Sequence, residues 1–236
     1  MGETMNPEFD LNRKHDIYDL LEIMRILRSE DGCPWDKVQT HESIRQDCLE
    51  EACEVCEAID KGDCDELKEE LGDLLLQVVF HTVIEEELNH FTFEDVCDGI
   101  SSKLIHRHPH VFKDRDKYAG EEKQDMWETA KRAEHGQKNT TEALDGVAHT
   151  LPSIWRMSKM IKKARKAGYE HFCKLPQASE SLISAVADQD IDNVESAFSI
   201  FMFSIINELY DKIDLERCLQ DSCDEFINQF KEWEES

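Results

Sequence analysis

The chain has 236 residues, of which 40% are hydrophobic and 34% are charged, a balance typical of globular proteins. Its 53 acidic residues outnumber its 27 basic residues and give a formal net charge of −26, which disfavours binding to nucleic acids and to anionic membranes. The sequence has no apolar run of about 20 residues and no apolar signal segment near its start, so we expect a cytoplasmic protein whose nine cysteines are reduced.

Helical periodicity runs through the first half of the chain, where apolar residues recur every three or four positions and no strand-like alternation is present. The predicted helices of this half span residues 15–30, 42–60, 65–88 and 93–107. Gly32 and Pro34 break the chain after the first helix, in a loop where we expect Trp35 to be the anchor. Gly62 ends the second helix, and Thr92 opens the fourth with a capping box.

The second half of the chain begins with a polar segment at 113–150, which carries one short predicted helix at 125–134. The helices that follow are predicted at 152–167, 178–188, 190–210 and 214–233. Together the two halves predict an all-α fold built from two four-helix units. The predicted domains are a first helical unit at 15–112, a connector at 113–150 and a second helical unit at 151–233.

An internal repeat relates the two predicted units. Each contains a long apolar helix, a short break, an acidic helix start and then an amphipathic helix. Glu87 aligns with Glu208 at an offset of 121 residues, and Glu94 aligns with Glu216 at an offset of 122 residues. The sequence therefore predicts that the units are arranged in tandem and share one pattern.

Acidic residues lie in or beside the apolar stripes of the second and third predicted helices. Glu51 and Glu54 are three residues apart, as are Glu70 and Asp73, so each pair shares one helix face. The short turn between the helices makes them antiparallel and can bring the two pairs together. Four carboxylates within about 5 Å cannot all stay ionised without a counter-charge, which a hard divalent cation such as Mg²⁺ supplies. Solvated acidic faces are common in a chain with 53 acidic residues, so the spacing alone leaves that alternative open.

Several motifs of the chain together resemble one protein family. They are EEACE (50–54), ELGD (70–73), DGCPWDKVQTHESI (31–44), KLIHRHPHVF (103–112) and WETAK (127–131). In this combination they resemble the MazG-type nucleoside triphosphate pyrophosphohydrolases, closely over 15–135 and more weakly over 150–233. The resemblance implies a tight, intertwined homodimer and hydrolysis of a nucleoside triphosphate to the monophosphate and pyrophosphate, which clears the nucleotide pool. It also implies dependence on Mg²⁺, with Mn²⁺ as a substitute.

The resemblance further implies which residues form the site. It puts the metal ligands at Glu51, Glu54, Glu70 and Asp73. Glu50 matches the first acidic residue of the family motif and is a candidate for a further ligand or for the base that orients water. Because a bound cation makes water nucleophilic at neutral pH, these five carboxylates form the predicted catalytic set.

Four other side chains are candidates for binding the substrate, and most have an ordinary structural alternative. Lys103 and Arg107 lie four residues apart on the fourth predicted helix, where they can clamp phosphates or be solvated cations at a helix end. Trp127 can stack on a base or pack a small helix against its neighbours. Lys37 is a pocket candidate in the loop after the first helix.

The second unit lacks the acidic pattern of the first, because no EExxE motif precedes its apolar helix. At an offset of 121 residues, Ile191 and Val194 take the places of the later acidic pair, and at 122 residues Asp192 and Glu195 do. We therefore predict that only the first unit binds a catalytic metal. The second unit is expected to contribute packing, dimer surface or regulation.

Two other classes of function are compatible with a helical, acidic chain. One is a non-catalytic helical regulator that senses nucleotides or dimerises. The other is a related all-α hydrolase, such as a deoxyuridine triphosphatase or a phosphoribosyl-ATP pyrophosphohydrolase. The intact set of five acids favours an enzyme, and the GCPWD and RHPHVF segments favour the MazG type.

Overall fold

The structure is a computed structural model that describes residues 12–113, 127, 130–131, 133–134, 136 and 139–235. The chain divides into two compact units, residues 1–120 and residues 121–236. The described residues form ten α-helices and one short 3₁₀ turn, and no strand occurs among them. The predicted all-α fold class is thereby confirmed.

The first unit is built from five helices. They are α1 (Ile17–Arg28), α2 (Arg45–Lys61), α3 (Cys64–Glu87), α4 (Phe93–Arg107) and α5 (Pro109–Phe112), with the 3₁₀ turn at Asp36–Val38. The four longer helices lie within three residues of their predicted bounds. Asp16 caps α1, and Thr92 and Asp95 form the predicted capping box of α4, so local side-chain chemistry defines both starts.

Helices α2 and α3 form an antiparallel pair joined by a two-residue turn. Gly62 ends α2 with a φ of 69°, a left-handed conformation that glycine adopts without steric cost. The Asp63 side chain then accepts hydrogen bonds from the backbone N–H groups of Asp65 and Glu66 at the start of α3. This turn determines how the acidic residues of the two helices face each other.

The core of the first unit forms where α1 and the chain before α2 pack on α3. Its buried members are Leu21, Met24, Ile44, Val79, Phe80, Val83 and Ile84. Ile44 is 1% exposed and lies immediately before α2, so it holds the beginning of that helix against the core. The core therefore positions α2 at one end and the α2–α3 turn positions it at the other.

Arg28 anchors the loop between α1 and α2. Its side chain is only 5% exposed, and its guanidinium donates to the backbone carbonyl oxygens of Asp36 at 2.7 Å and Gln39 at 3.2 Å. The same group forms a two-point ion pair with Glu87, with distances of 2.7 and 2.8 Å. The prediction that Trp35 anchors this loop was wrong, because the residue is 58% exposed.

Gly32 lets the same loop fold back on the end of α1. A Cβ atom at this position would lie 2.3 Å from the backbone carbonyl oxygens of Ile26 and Leu27. Only glycine permits such a close approach, because any larger residue would push the two backbone segments apart. The glycine that begins the GCPWD segment, Gly32, is therefore required for steric reasons.

Between residues 139 and 235 the second unit also has five helices. They are α6 (Thr140–Asp145), α7 (Ser153–Lys166), α8 (Leu175–Asp188), α9 (Ile191–Leu209) and α10 (Leu215–Glu234). Helix α7 packs against α6, α9 and α10, while α8 packs against α9. Ile154, Ile161 and Ile206 are the buried centre of the α7–α9 contact. Half of the short helix predicted at 125–134 lies outside the described residues; the residues described there are helical, namely Trp127, Ala130, Lys131, Ala133 and Glu134.

The turn between α8 and α9 resembles the turn between α2 and α3. Gln189 takes the left-handed position with a φ of 56°, and Asp190 caps α9 as Asp63 caps α3. Asp190 lies 127 residues after Asp63, whereas Asp214, which caps α10, lies 122 residues after Thr92, which caps α4. The two offsets differ because α9 has 19 residues and α3 has 24. The offset of 121 or 122 residues therefore does not apply at this first turn.

The nine cysteines are all unpaired in the structure. Cys53 and Cys56 are exposed on α2. Among the described helices, none is both long enough and apolar enough to cross a bilayer.

Candidate active site

Three carboxylates converge where α2 and α3 face each other. Glu51 lies on α2, and Glu70 and Asp73 lie three residues apart on α3. One oxygen atom from each side chain lies within 4.8 Å of the other two, and all three residues are half-buried. We call Glu51, Glu70 and Asp73 the carboxylate group. The antiparallel pairing of the two helices is what brings it together.

The carboxylate group lies in an environment that penalises its own charge. Burial raises the pKa of Glu51 above its ordinary value, and the charges of Asp73 and Glu54 raise it further. Burial likewise raises the pKa of Glu70, and Glu54 and Asp73 add to the shift. The neighbouring charges that act on these two groups are all negative, so a cation bound among them would relieve the repulsion. Three closely spaced carboxylate oxygens are the donor set that Mg²⁺, Mn²⁺ or Ca²⁺ prefers.

The other two predicted acids differ in their relation to this group. Glu54 is exposed, but its charge acts on both Glu51 and Glu70, so it lies at the edge of the group. Glu50 is exposed and accepts a hydrogen bond from Gln46 Nε2 at 2.9 Å. The structure therefore gathers three of the five predicted acids, with Glu54 at their edge, and leaves Glu50 facing solvent.

The predicted substrate-binding side chains are more widely distributed. Lys37 Nζ donates to the backbone carbonyl of Glu30 at 3.1 Å, and Lys103 is exposed on α4. Arg107 is half-buried at the end of α4. Trp127 belongs to the second unit, where Lys131 Nζ lies 5.0 Å from its ring centroid. Within residues 12–113, no described contact joins Lys37 or Lys103 to the carboxylate group.

A histidine–carboxylate network, which the sequence did not reveal, lies further along α3. His41 Nδ1 is 2.7 Å from His81 Nδ1, and the two rings are stacked with centroids 5.0 Å apart. One carboxylate oxygen of Glu85 lies 2.6 Å from His41 Nε2, and the other lies 2.7 Å from His90 Nδ1. Only the four-residue spacing of His81 and Glu85 was visible as a local signal. The network ties the chain before α2 to α3.

Acidification is expected to lower the free energy of unfolding of the first unit in two steps. Burial and the neighbouring His41 hold the pKa of His81 below its ordinary value, so the folded state binds fewer protons than the unfolded state. Stability therefore falls as the pH drops through about 6.5. Hydrogen bonds from His90 and His41 hold the pKa of Glu85 below its ordinary value, so its contribution is lost at lower pH, as the pH falls through that depressed pKa.

Urea titrations followed by circular dichroism at about pH 7.5 and about pH 5.5 measure the first step. The urea midpoint should be lower at the more acidic pH, and the difference should be smaller in a His81→Phe variant. An unchanged wild-type midpoint, or an equal change in the variant, would show that His81 does not cause the pH dependence.

The fold and the carboxylate group define the chain as an all-α protein with an acidic site between two antiparallel helices. Residues 39–112, which include that site, match the family model of the MazG nucleotide pyrophosphohydrolase domain. The chain belongs to the MazG family, and the predicted resemblance is confirmed.

Curated relatives extend the similarity beyond the matched domain. The chain is 37% identical over 223 residues to the "Nucleoside triphosphate pyrophosphohydrolase/pyrophosphatase MazG" of Thermotoga maritima. The aligned region covers 92% of this chain and 85% of that protein. It is 45% identical over 152 residues to the "Nucleoside triphosphate pyrophosphohydrolase" of Escherichia coli K12, covering 64% of this chain and 58% of that protein. It is 47% identical over 150 residues to the "Uncharacterized protein YabN" of Bacillus subtilis, covering 63% of this chain and 30% of that protein.

Proposed function

We propose that the first unit hydrolyses nucleoside triphosphates to the nucleoside monophosphate and pyrophosphate in a reaction that depends on Mg²⁺. The observation that carries this proposal is the convergence of Glu51, Glu70 and Asp73 from two helices, inside the segment that matches the MazG domain. The names of the Thermotoga maritima and Escherichia coli relatives support the same activity. Removal of triphosphates in this way fits a housecleaning role in the nucleotide pool.

The carboxylates have distinct roles in this proposal. Glu51, Glu70 and Asp73 hold the cation, and Glu54 completes the ligand set from the edge of the group. A bound divalent cation supplies positive charge for the triphosphate and makes water nucleophilic near neutral pH. Glu50 is the candidate base that orients the attacking water, although it must exchange its hydrogen bond with Gln46 to do so.

The basic and aromatic candidates remain proposals for binding the substrate. Lys103 and Arg107 lie one turn apart on α4 and are proposed to bind phosphate oxygens. Lys37 is proposed to contact the substrate from the loop, and Trp127 to stack on the base. An acidic protein with a net charge of −26 needs such local cations, together with a metal, to hold an anionic substrate.

We also propose that the two units are tandem copies of one helical design, of which only the first binds a catalytic cation. The matching turns at Gly62–Asp63 and Gln189–Asp190 support common ancestry of the helix pairs. Counted from these turns, Glu51 and Glu70 correspond to Ala178 and Ala197. Both alanines are buried, at 1% and 5% exposure, so apolar packing takes the place of the acidic residues there.

A homodimer is proposed as the functional assembly. Large apolar side chains are exposed by 36–70% across the helices of both units. Examples from α2, α3, α4 and α10 are Leu49, Leu71, Leu75, Ile100, Leu104, Phe226, Phe230 and Trp233. Exposed apolar surfaces of this extent are typical of subunit interfaces, and a second copy of the chain would cover them.

The reaction can be tested by incubating the protein with each common ribonucleoside and deoxyribonucleoside triphosphate and separating the products by anion exchange. The expected products are the monophosphate and pyrophosphate in the presence of Mg²⁺. Chelation of divalent cations should abolish turnover, and added Mg²⁺ should restore it, because the carboxylate group alone repels the substrate. Formation of the diphosphate and orthophosphate, or full activity in the chelator, would contradict the proposal.

A further inference from the structure

Gln77 is a buried polar residue whose amide oxygen has no hydrogen-bond partner among the described residues. The residue is 6% exposed, and its Oε1 atom is buried without a hydrogen-bond donor among the described residues. An unsatisfied buried acceptor costs about 1–3 kcal/mol, so such an atom requires an explanation.

The position of Gln77 on α3 places it beside the carboxylate group. It lies one turn after Asp73 and one turn before His81, so the three residues share one side of the helix. Asp73 lies close to Glu51 on α2, and His81 contacts His41 in the segment before α2. A buried residue between them on the same side of α3 therefore lies at the α2–α3 interface. Helical side chains lean toward the N-terminus of their helix, so we expect the Gln77 amide to lie near the turn that carries Asp73.

We propose that Gln77 is a positioning residue of the candidate active site, whose Oε1 accepts a hydrogen bond from a water molecule that the carboxylate group also holds. The inference rests on the proposed function. Ionised carboxylates only accept hydrogen bonds, so Asp73 cannot satisfy Gln77 Oε1 directly. A water molecule has two hydrogens and can donate one to Gln77 and one to a carboxylate oxygen. With a cation bound, this contact orients the water around it, in the way that outer partners orient the ligands of other metal sites.

The test compares the affinity of the wild-type protein for Mn²⁺ with that of Gln77→Met and Gln77→Leu, by titration followed by electron paramagnetic resonance. Both variants replace the amide by an apolar side chain of similar size, which removes the hydrogen-bond acceptor. We expect each to bind Mn²⁺ about 10-fold more weakly, the lower end of the effect of losing an outer partner. Without the cation, their unfolding midpoints should stay close to that of the wild type, because replacing a buried polar group by an apolar side chain of similar volume is nearly neutral.

Thr82→Val is the matched control on the same helix. Thr82 is also buried, at 2% exposure, but its hydroxyl donates to the backbone carbonyl of Val78 at 2.8 Å. This variant should bind Mn²⁺ as the wild type does, which separates the loss of any buried polar group from the loss of the Gln77 acceptor.

The outcomes distinguish the inference from the proposed function. Equal Mn²⁺ affinity in the wild type and both Gln77 variants would overturn the positioning role and leave the proposed cation site intact. Absence of Mn²⁺ binding by the wild type would overturn both. Loss of folding in both variants without the cation would mean that the amide is paired within the protein, and would also overturn the positioning role.

Discussion

Asp73→Asn is expected to lower the rate of nucleoside triphosphate hydrolysis by at least about 100-fold, because it removes the charge of a proposed metal ligand without changing its shape. Asparagine has nearly the same volume and retains one oxygen, so the packing of α2 on α3 should persist. The loss should appear in kcat and in the affinity for Mn²⁺, while the helical circular dichroism signal stays unchanged. Glu54→Gln is expected to have an effect of the same order.

Asp65→Asn is the matched control for this experiment. Asp65 lies in the first turn of the same helix, its side chain is 98% exposed, and its nearest cation is Lys68 Nζ at 3.5 Å. This variant makes the same chemical change away from the site, so activity and Mn²⁺ affinity should match the wild type. Full activity in Asp73→Asn would contradict the assignment of the site. Loss of helicity in that variant would instead assign Asp73 a structural role.

Arg28→Met is expected to lower the free energy of unfolding of the first unit by about 2–4 kcal/mol. The substitution removes two hydrogen bonds to the backbone carbonyl oxygens of Asp36 and Gln39 and leaves Glu87 without its partner. The cation also lies 5.4 Å from the centroid of the Phe80 ring, and that attraction is lost as well. Because the arginine is 5% exposed, water replaces these contacts poorly.

Arg25→Met provides a control in which the same kind of ion pair is broken at the surface. Arg25 forms a two-point pair with Glu86 at 2.9 and 3.0 Å, but its side chain is 42% exposed. Exposed pairs contribute at most about 1 kcal/mol, so this variant should be much closer to the wild type. Urea titration followed by circular dichroism measures both changes. Equal destabilisation by the two variants would show that burial of Arg28 does not decide its contribution.

The helices were predictable because their signals are local. The apolar periodicity, the left-handed position of Gly62 and the capping box of Thr92 each depend on residues within one or two turns. The site was partly predictable for the same reason: Glu70 and Asp73 share a helix face by their spacing alone, and a two-residue turn leaves an antiparallel arrangement with α2.

Burial was not predictable in this way. The sequence suggested Trp35 as the anchor of the first loop, but the structure assigns that role to Arg28, whose Glu87 partner lies 59 residues away. A tryptophan is buried only where the fold provides a cavity of its size, and no local pattern records that.

The sequence by itself determined the all-α class, the positions of the long helices, the family and the acidic residues of the first unit. Only the tertiary structure decided that His41 meets His81, 40 residues apart, and that Gln77 is buried. The helical period constrains residues within a few positions of each other. Contacts between distant segments depend instead on which helix faces pack together, and that choice is made by the core as a whole.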